Sequence, residues 1–125
     1  MTQINIKFQN YLNLENGTVY SINELVQSNP LDKVVWHVYI AYNNTRPTHS
    51  VIFHNEEICK ISMLTNSFDN VDLNIATNES FQENLLDVAF ESDKTILIKT
   101  DVDYWKLKII SENDTESVIQ YSKLN

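Results

Sequence analysis

Chemistry in a small protein usually starts from histidines, cysteines and paired carboxylates. This chain holds three histidines (His37, His49, His54) and one cysteine, Cys59. His49, His54 and Glu57 come nearest to a metal or acid–base set, because two imidazoles and a carboxylate suit zinc or iron. Their spacing matches no ligand motif, and three polar residues beside a turn account for them equally well. His37 has the chemistry of a general base or a pH-sensitive core group. Its place between Val35 and Tyr39 in an apolar run favours a partly buried, hydrogen-bonded histidine. Asp101 and Asp103 have paired-carboxylate spacing, which a tight acidic turn also explains. No elbow links Ser, His and Asp into a triad. There is no phosphate loop, dinucleotide fingerprint or zinc-type cysteine set. A single glycine makes a glycine-cradled phosphate improbable. The chain is therefore read as a non-enzyme without cofactor or metal. A small metal-binding protein or enzyme using His49, His54 and Glu57 is kept as the weakest of three readings.

The more pointed pattern lies in N-E-S-F-Q-E-N-L-L-D-V-A-F-E-S-D, residues 78–93. Ser80 and Glu83 have capping-box spacing. At helical spacing Phe81, Leu85, Val88 and Ala89 share an arc, with Leu86 at its edge. The predicted helix spans 79–91. Glu79, Glu83, Asp87 and Glu91 follow at steps of four, where like charges cost roughly 0.2–0.5 kcal/mol per pair. No lysine or arginine lies between Ile61 and Asp93 to neutralise them. Phe90 projects between the core arc and the acidic row. A solvated face explains the row. The sharper expectation is a partner-binding surface made of Glu79, Glu83, Asp87, Phe90 and Glu91.

The wider composition agrees with a folded binding protein. At 125 residues, with 42% hydrophobic residues, residues 1–125 are expected to form one domain. The net charge of −8 and pI near 4.7 disfavour nucleic acid and anionic membranes as partners. The charge is lopsided: residues 1–65 carry five acids and four bases, and 66–125 the other twelve acids against five bases. Such a field speeds encounter with a positive partner. Cys59 cannot form an internal disulfide and is expected to be a small buried hydrophobe. The first residues lack a signal-peptide core, and no apolar run is long enough to span a bilayer. A cytoplasmic location is the default. Four Asn-x-Ser/Thr matches, at Asn16, Asn43, Asn78 and Asn113, are read as chance in an asparagine-rich chain.

The elements that would carry these residues read as α+β. The expectation is antiparallel sheet of about six to seven strands, with two helices, near 21–28 and 79–91, packed on one face. Residues 3–8 alternate as a strand. Asn16-Gly17 marks a turn. Ser21 and Glu24 form a second capping box, opening a helix that should bury Ile22, Leu25 and Val26 and stop before Pro30. Residues 33–42 form the clearest strand, with Val34, Trp36, Val38, Ile40 and Tyr42 on the core face. Residues 51–54 and 58–64 read as a hairpin. Val71, Leu73 and Ile75 suggest a short strand. Residues 95–100, 104–111 and 117–122 read as a meander. A capped helix followed by Asp-Lys and strands occurs in each half, a weak hint of duplication.

Small, acidic and motif-free, the chain has a profile similar to that of intracellular inhibitor or immunity proteins. The similarity implies occlusion of a basic protein partner, such as a nuclease-like toxin. Carboxylates would stand in for phosphates, charge would set the on-rate and apolar burial the off-rate. The second reading is an acidic secretion-chaperone-like homodimer that holds a client polypeptide. Monomer and homodimer are both open from sequence.

Overall fold

The structure is a computed structural model that describes residues 1–27, 34–46 and 49–125. The expected helix stop at Pro30, the Asp32-Lys33 pair and the Pro47 loop lie outside the described residues. Ten strands are described: β1 (Thr2–Lys7), β2 (Asn10–Leu12), β3 (Val19–Tyr20), β4 (Val38–Tyr42), β5 (Ser50–His54), β6 (Cys59–Leu64), β7 (Asp87–Ala89), β8 (Thr95–Thr100), β9 (Tyr104–Glu112) and β10 (Glu116–Lys123). They form two antiparallel sheets of five, ordered β1-β10-β9-β8-β6 and β3-β2-β4-β5-β7. The helices are small: α1 (Ile22–Gln27) and α2 (Leu73–Thr77), with a 3-10 turn at Phe68–Asn70. Antiparallel sheet with minor helix is as expected, but with more strands than the six or seven anticipated.

Alternation decides how the sheets stack. Ile6, Ile61, Ile96, Ile98, Trp105, Leu107, Ile109 and Ile119 of the first sheet pack against Leu12, Val38, Ile40, Ile52 and Val88 of the second in one buried cluster. Ser50 Oγ and Ser117 Oγ, both fully buried, hydrogen-bond across that interior at 2.8 Å. The opposite face of the first sheet is partly covered. There Leu64, Leu97 and Leu124 meet Val71 and Ala76, with Leu73, Ile75 and Phe81 packed alongside. Lys106 lies over the Phe68 ring at 4.4 Å and donates to the Phe68 carbonyl at 2.7 Å.

Several sequence expectations are corrected. Residues 79–91 are not a helix: 78–86 is irregular, Asn84 is left-handed (φ 63°), and 87–89 is strand β7. The apolar residues of this stretch serve two layers. Phe81 packs on the outer cluster, whereas Leu85, Val88 and Phe90 join the inter-sheet core. β7 also supplies backbone partners to β5, which would otherwise be an open edge. The helix falls earlier, at 73–77, where Asp72 caps it by accepting from Ile75 N at 2.9 Å; this replaces the strand expected through Val71, Leu73 and Ile75. With its second capped helix gone, the suggested duplication loses its basis.

The Ser21–Glu24 box does form, with reciprocal bonds of 3.2 and 3.3 Å. Its helix buries less than expected, since Ile22 and Val26 are 50% and 71% exposed. β4 begins at Val38, later than expected, and only Val38 and Ile40 of the anticipated face are fully buried. β5 and β6 lie in different sheets, so their connection is an arch and not a hairpin. The 95–122 meander forms as expected.

Turns rely on asparagine. Asn43 and Asn113 each accept from both the amide and the hydroxyl of the threonine two residues on, and Asn16 accepts from Thr18 N. Three of the four Asn-x-Ser/Thr matches are thus side-chain-closed turns. The lone glycine, Gly17, is also left-handed (φ 73°), and a Cβ there would meet the Tyr121 hydroxyl at 3.3 Å.

Candidate functional site

The carboxylates expected to form a row are dispersed. Asp87 pairs with Arg46 at 3.1 Å. Glu91 pairs with Lys94, which raises the lysine's pKa through their hydrogen bond and charge attraction. Glu79 accepts from Ser62 Oγ at 3.4 Å on the covered sheet face. Phe90 is half-buried against the core. Glu83 alone is exposed without a described partner, so the structure does not bring the five together.

The two histidines expected near one another are also apart. His49 precedes β5 and His54 ends it, a separation of roughly 16 Å at about 3.3 Å per residue. His49 Nδ1 lies 3.7 Å from Glu112, and His54 Nε2 meets the Leu85 carbonyl. Among the described residues no group of three His, Cys, Asp or Glu is arranged to hold a metal.

His37 is a structural hub. It is 3% exposed, and its Nδ1 accepts from Leu14 N at 2.9 Å, which leaves the proton on Nε2. Its backbone carbonyl accepts from Asn55 N and Cys59 Sγ. Burial lowers the imidazole pKa, and Asp101 opposes this in part. Ring and backbone carbonyl of this one residue thus tie the β2–β3 loop to the start of β4 and the β5–β6 arch. Burial pushes the Cys59 thiol up to about 12, outweighing its bond to Asn55. An inert packed thiol is what the apolar run suggested.

The arrangement that sequence reasoning missed lies at this same end of the sandwich. The β2–β3 loop brings Glu15, the β5–β6 arch Glu56 and Glu57, the 78–86 segment Glu83, and the β8–β9 turn Asp101 and Asp103. Glu15 lies near enough to Asp103 for the two carboxyls to influence each other. Burial, then Asp103 and Asp101, raise the Glu15 pKa, while Lys123 lowers it. Lys123 bridges to Asp103 at 3.3 Å. The Asp101–Asp103 turn is itself fixed by Thr100, whose Oγ1 accepts from Asp103 N at 2.9 Å. Against six carboxylates this end offers Lys60, Lys99 and Lys123. No linear signal marks the set, because its members come from four separate connections.

A cleft of about 260 Å³ opens between the β5–β6 arch and the 82–86 turn, with Glu56, Lys60, Glu83 and Leu86 on its walls. A second recess of about 220 Å³ continues past Glu56 and Lys60 to Lys99 and Asp101.

Compared with protein-family models, curated proteins and solved structures, the chain matches none. Among the described residues no helix is long and apolar enough to cross a membrane.

Proposed function

We propose that this chain is an acidic binding protein of the inhibitor or immunity type, which occludes a basic protein partner such as a nuclease-like toxin. The contact surface is the acidic end of the sandwich, with Glu15, Glu56, Glu83, Asp101 and Asp103 as its charged groups. Of the residues first suggested by the sequence, only Glu83 stays in it.

One observation carries the reading. Carboxylates from four separate connections converge on this one end, around two adjoining recesses that Glu56, Glu83 and Asp101 line. An incoming Lys or Arg supplies the positive charge in which this end is short. The supporting scaffold is rigid, since His37, Thr100 and the asparagine turns fix the loops by hydrogen bonds. A preorganised surface loses less freedom on binding.

The test is co-purification of this chain with the product of its neighbouring reading frame, followed by rate measurements at rising salt. The expected result is a one-to-one complex whose association slows with salt. The triple variant Glu15→Lys, Glu83→Lys, Asp101→Lys should keep its fold and lose capture by roughly 100-fold or more, as close charge pairs across interfaces do. Undiminished capture by that variant overturns the reading.

A further inference from the structure

The cleft beside Glu83 has features beyond charge. Its volume of about 260 Å³ is below the range of roughly 300–1,000 Å³ usual for cofactor and drug-sized ligands. A single long side chain is the better match in size. Leu85 and Leu86 line it, and Leu86 is 50% exposed despite its apolar character. Glu56 and Glu83 face the same space, and neither has an ion-pair partner among the described residues. The His54 ring also lines the cleft. Its Nε2 donates to the Leu85 carbonyl, so the neutral ring carries a lone pair on Nδ1. That atom is buried, so a guest in the cleft meets the ring and not the lone pair.

We infer that this cleft receives one arginine side chain from the basic partner. The inference rests on the function proposed above and adds an anchoring pocket to it. The stem packs on Leu85 and Leu86, and the guanidinium meets Glu56 and Glu83. Arginine fits better than lysine because its planar fork offers five donors and its faces are weakly hydrated. An anion is disfavoured, since two carboxylates face one ammonium. Lys60 is that ammonium, and it opposes a cationic guest. Arginines seated in apolar-walled pockets are frequent hot spots of protein interfaces.

The probe is N-acetyl-arginine amide, titrated against the intact chain and followed by NMR at the His54 ring and the Gln82 and Asn84 side-chain amides. Saturable shifts at these groups are expected, with weaker binding of N-acetyl-lysine amide. Glu83→Gln should weaken binding about fivefold or more, and Lys60→Ala should strengthen it about twofold. Absence of saturable shifts there, or equal affinity in Glu83→Gln, overturns the pocket. The outcomes separate the two proposals. If arginine amide fails while the triple lysine variant still loses partner capture, the pocket falls and the acidic-end reading stands. If arginine amide binds as expected while that variant captures normally, the acidic-end reading falls, and the pocket's part in capture falls with it because Glu83 is lysine in that variant; only its affinity for arginine is left.

Discussion

The two ends of the sandwich treat negative charge differently. At the end bearing the β4–β5, β7–β8 and β9–β10 connections, several acids have a partner within the chain. Glu91 meets Lys94, Glu112 lies near His49, and Glu116 accepts from Asn5. At the other end Lys123 answers Asp103 with Glu15 close by, and Glu56 and Glu83 line a cleft with one lysine. Internal pairing produces a self-sufficient surface, and crowding of like charge produces one with something to gain from a partner. Total charge therefore says less about binding than how much of it is already answered.

The largest expected effect breaks this contrast outright. Glu15→Lys, Glu83→Lys, Asp101→Lys and the matched set Glu91→Lys, Asp93→Lys, Asp114→Lys change net charge by the same amount. If the acidic end is the contact, the first loses capture by roughly 100-fold or more. The second slows association only severalfold, through the long-range field. Equal losses would mean that net charge, and no particular end, governs capture.

Next in size is His37→Leu, which probes the rigidity of the acidic end. It leaves the buried Leu14 amide without its acceptor, a loss of about 1–3 kcal/mol in a urea unfolding titration. The same ring sets a pH dependence. Its folded pKa lies below the unfolded value of 6.5, so its stabilising contribution is full above that pH. As pH falls below 6.5 the unfolded chain takes up the proton first, and stability declines. His37→Leu should remove that part of the slope, seen by comparing urea midpoints at pH 8 and pH 5.

Sequence legibility varies between the same regions. Strands that alternate cleanly, such as residues 2–7 and the 95–122 meander, could be read because one face is buried and the other is wet. The capping box at Ser21 was legible because both partners lie within one turn. The identical pattern at Ser80 failed. Periodicity counts apolar residues without knowing which layer each will join, and Phe81 and Val88 go to different ones. Asp72, directly before Leu73, was the cap that mattered. The acidic end could not be read at all. Glu15, Glu56 and Asp103 are brought together only by strand order, which no local pattern encodes.

A smaller effect tests the self-sufficient surface. Arg46 and Asp87 are each partly exposed, at 37% and 28%, and their 3.1 Å pair bridges the loop after β4 to β7. Arg46→Ala should cost about 0.2–1 kcal/mol and leave capture unchanged. The urea midpoint and the salt-dependent association rate check the two halves. A change in capture would extend the contact surface along the outer face of the second sheet.

The smallest effect tests what placing the Glu15 carboxylate at the acidic end costs the free protein. The Glu15 pKa is raised chiefly by burial and by Asp103, so its carboxylate opposes folding at neutral pH. A raised acid pKa contributes stability that is full below the unfolded value of 4.5 and is lost as pH rises through the folded value. Glu15→Gln should therefore stabilise the free protein at pH 7, by under about 0.5 kcal/mol because the site is exposed and screened. At pH 4, where the native carboxyl is largely neutral, the gain should vanish. The same substitution should weaken partner capture, because it removes a carboxylate from the contact surface. A variant more stable alone and poorer in complex is the signature of charge crowded for a partner, whereas a variant stabilised with capture intact would leave Glu15 merely tolerated.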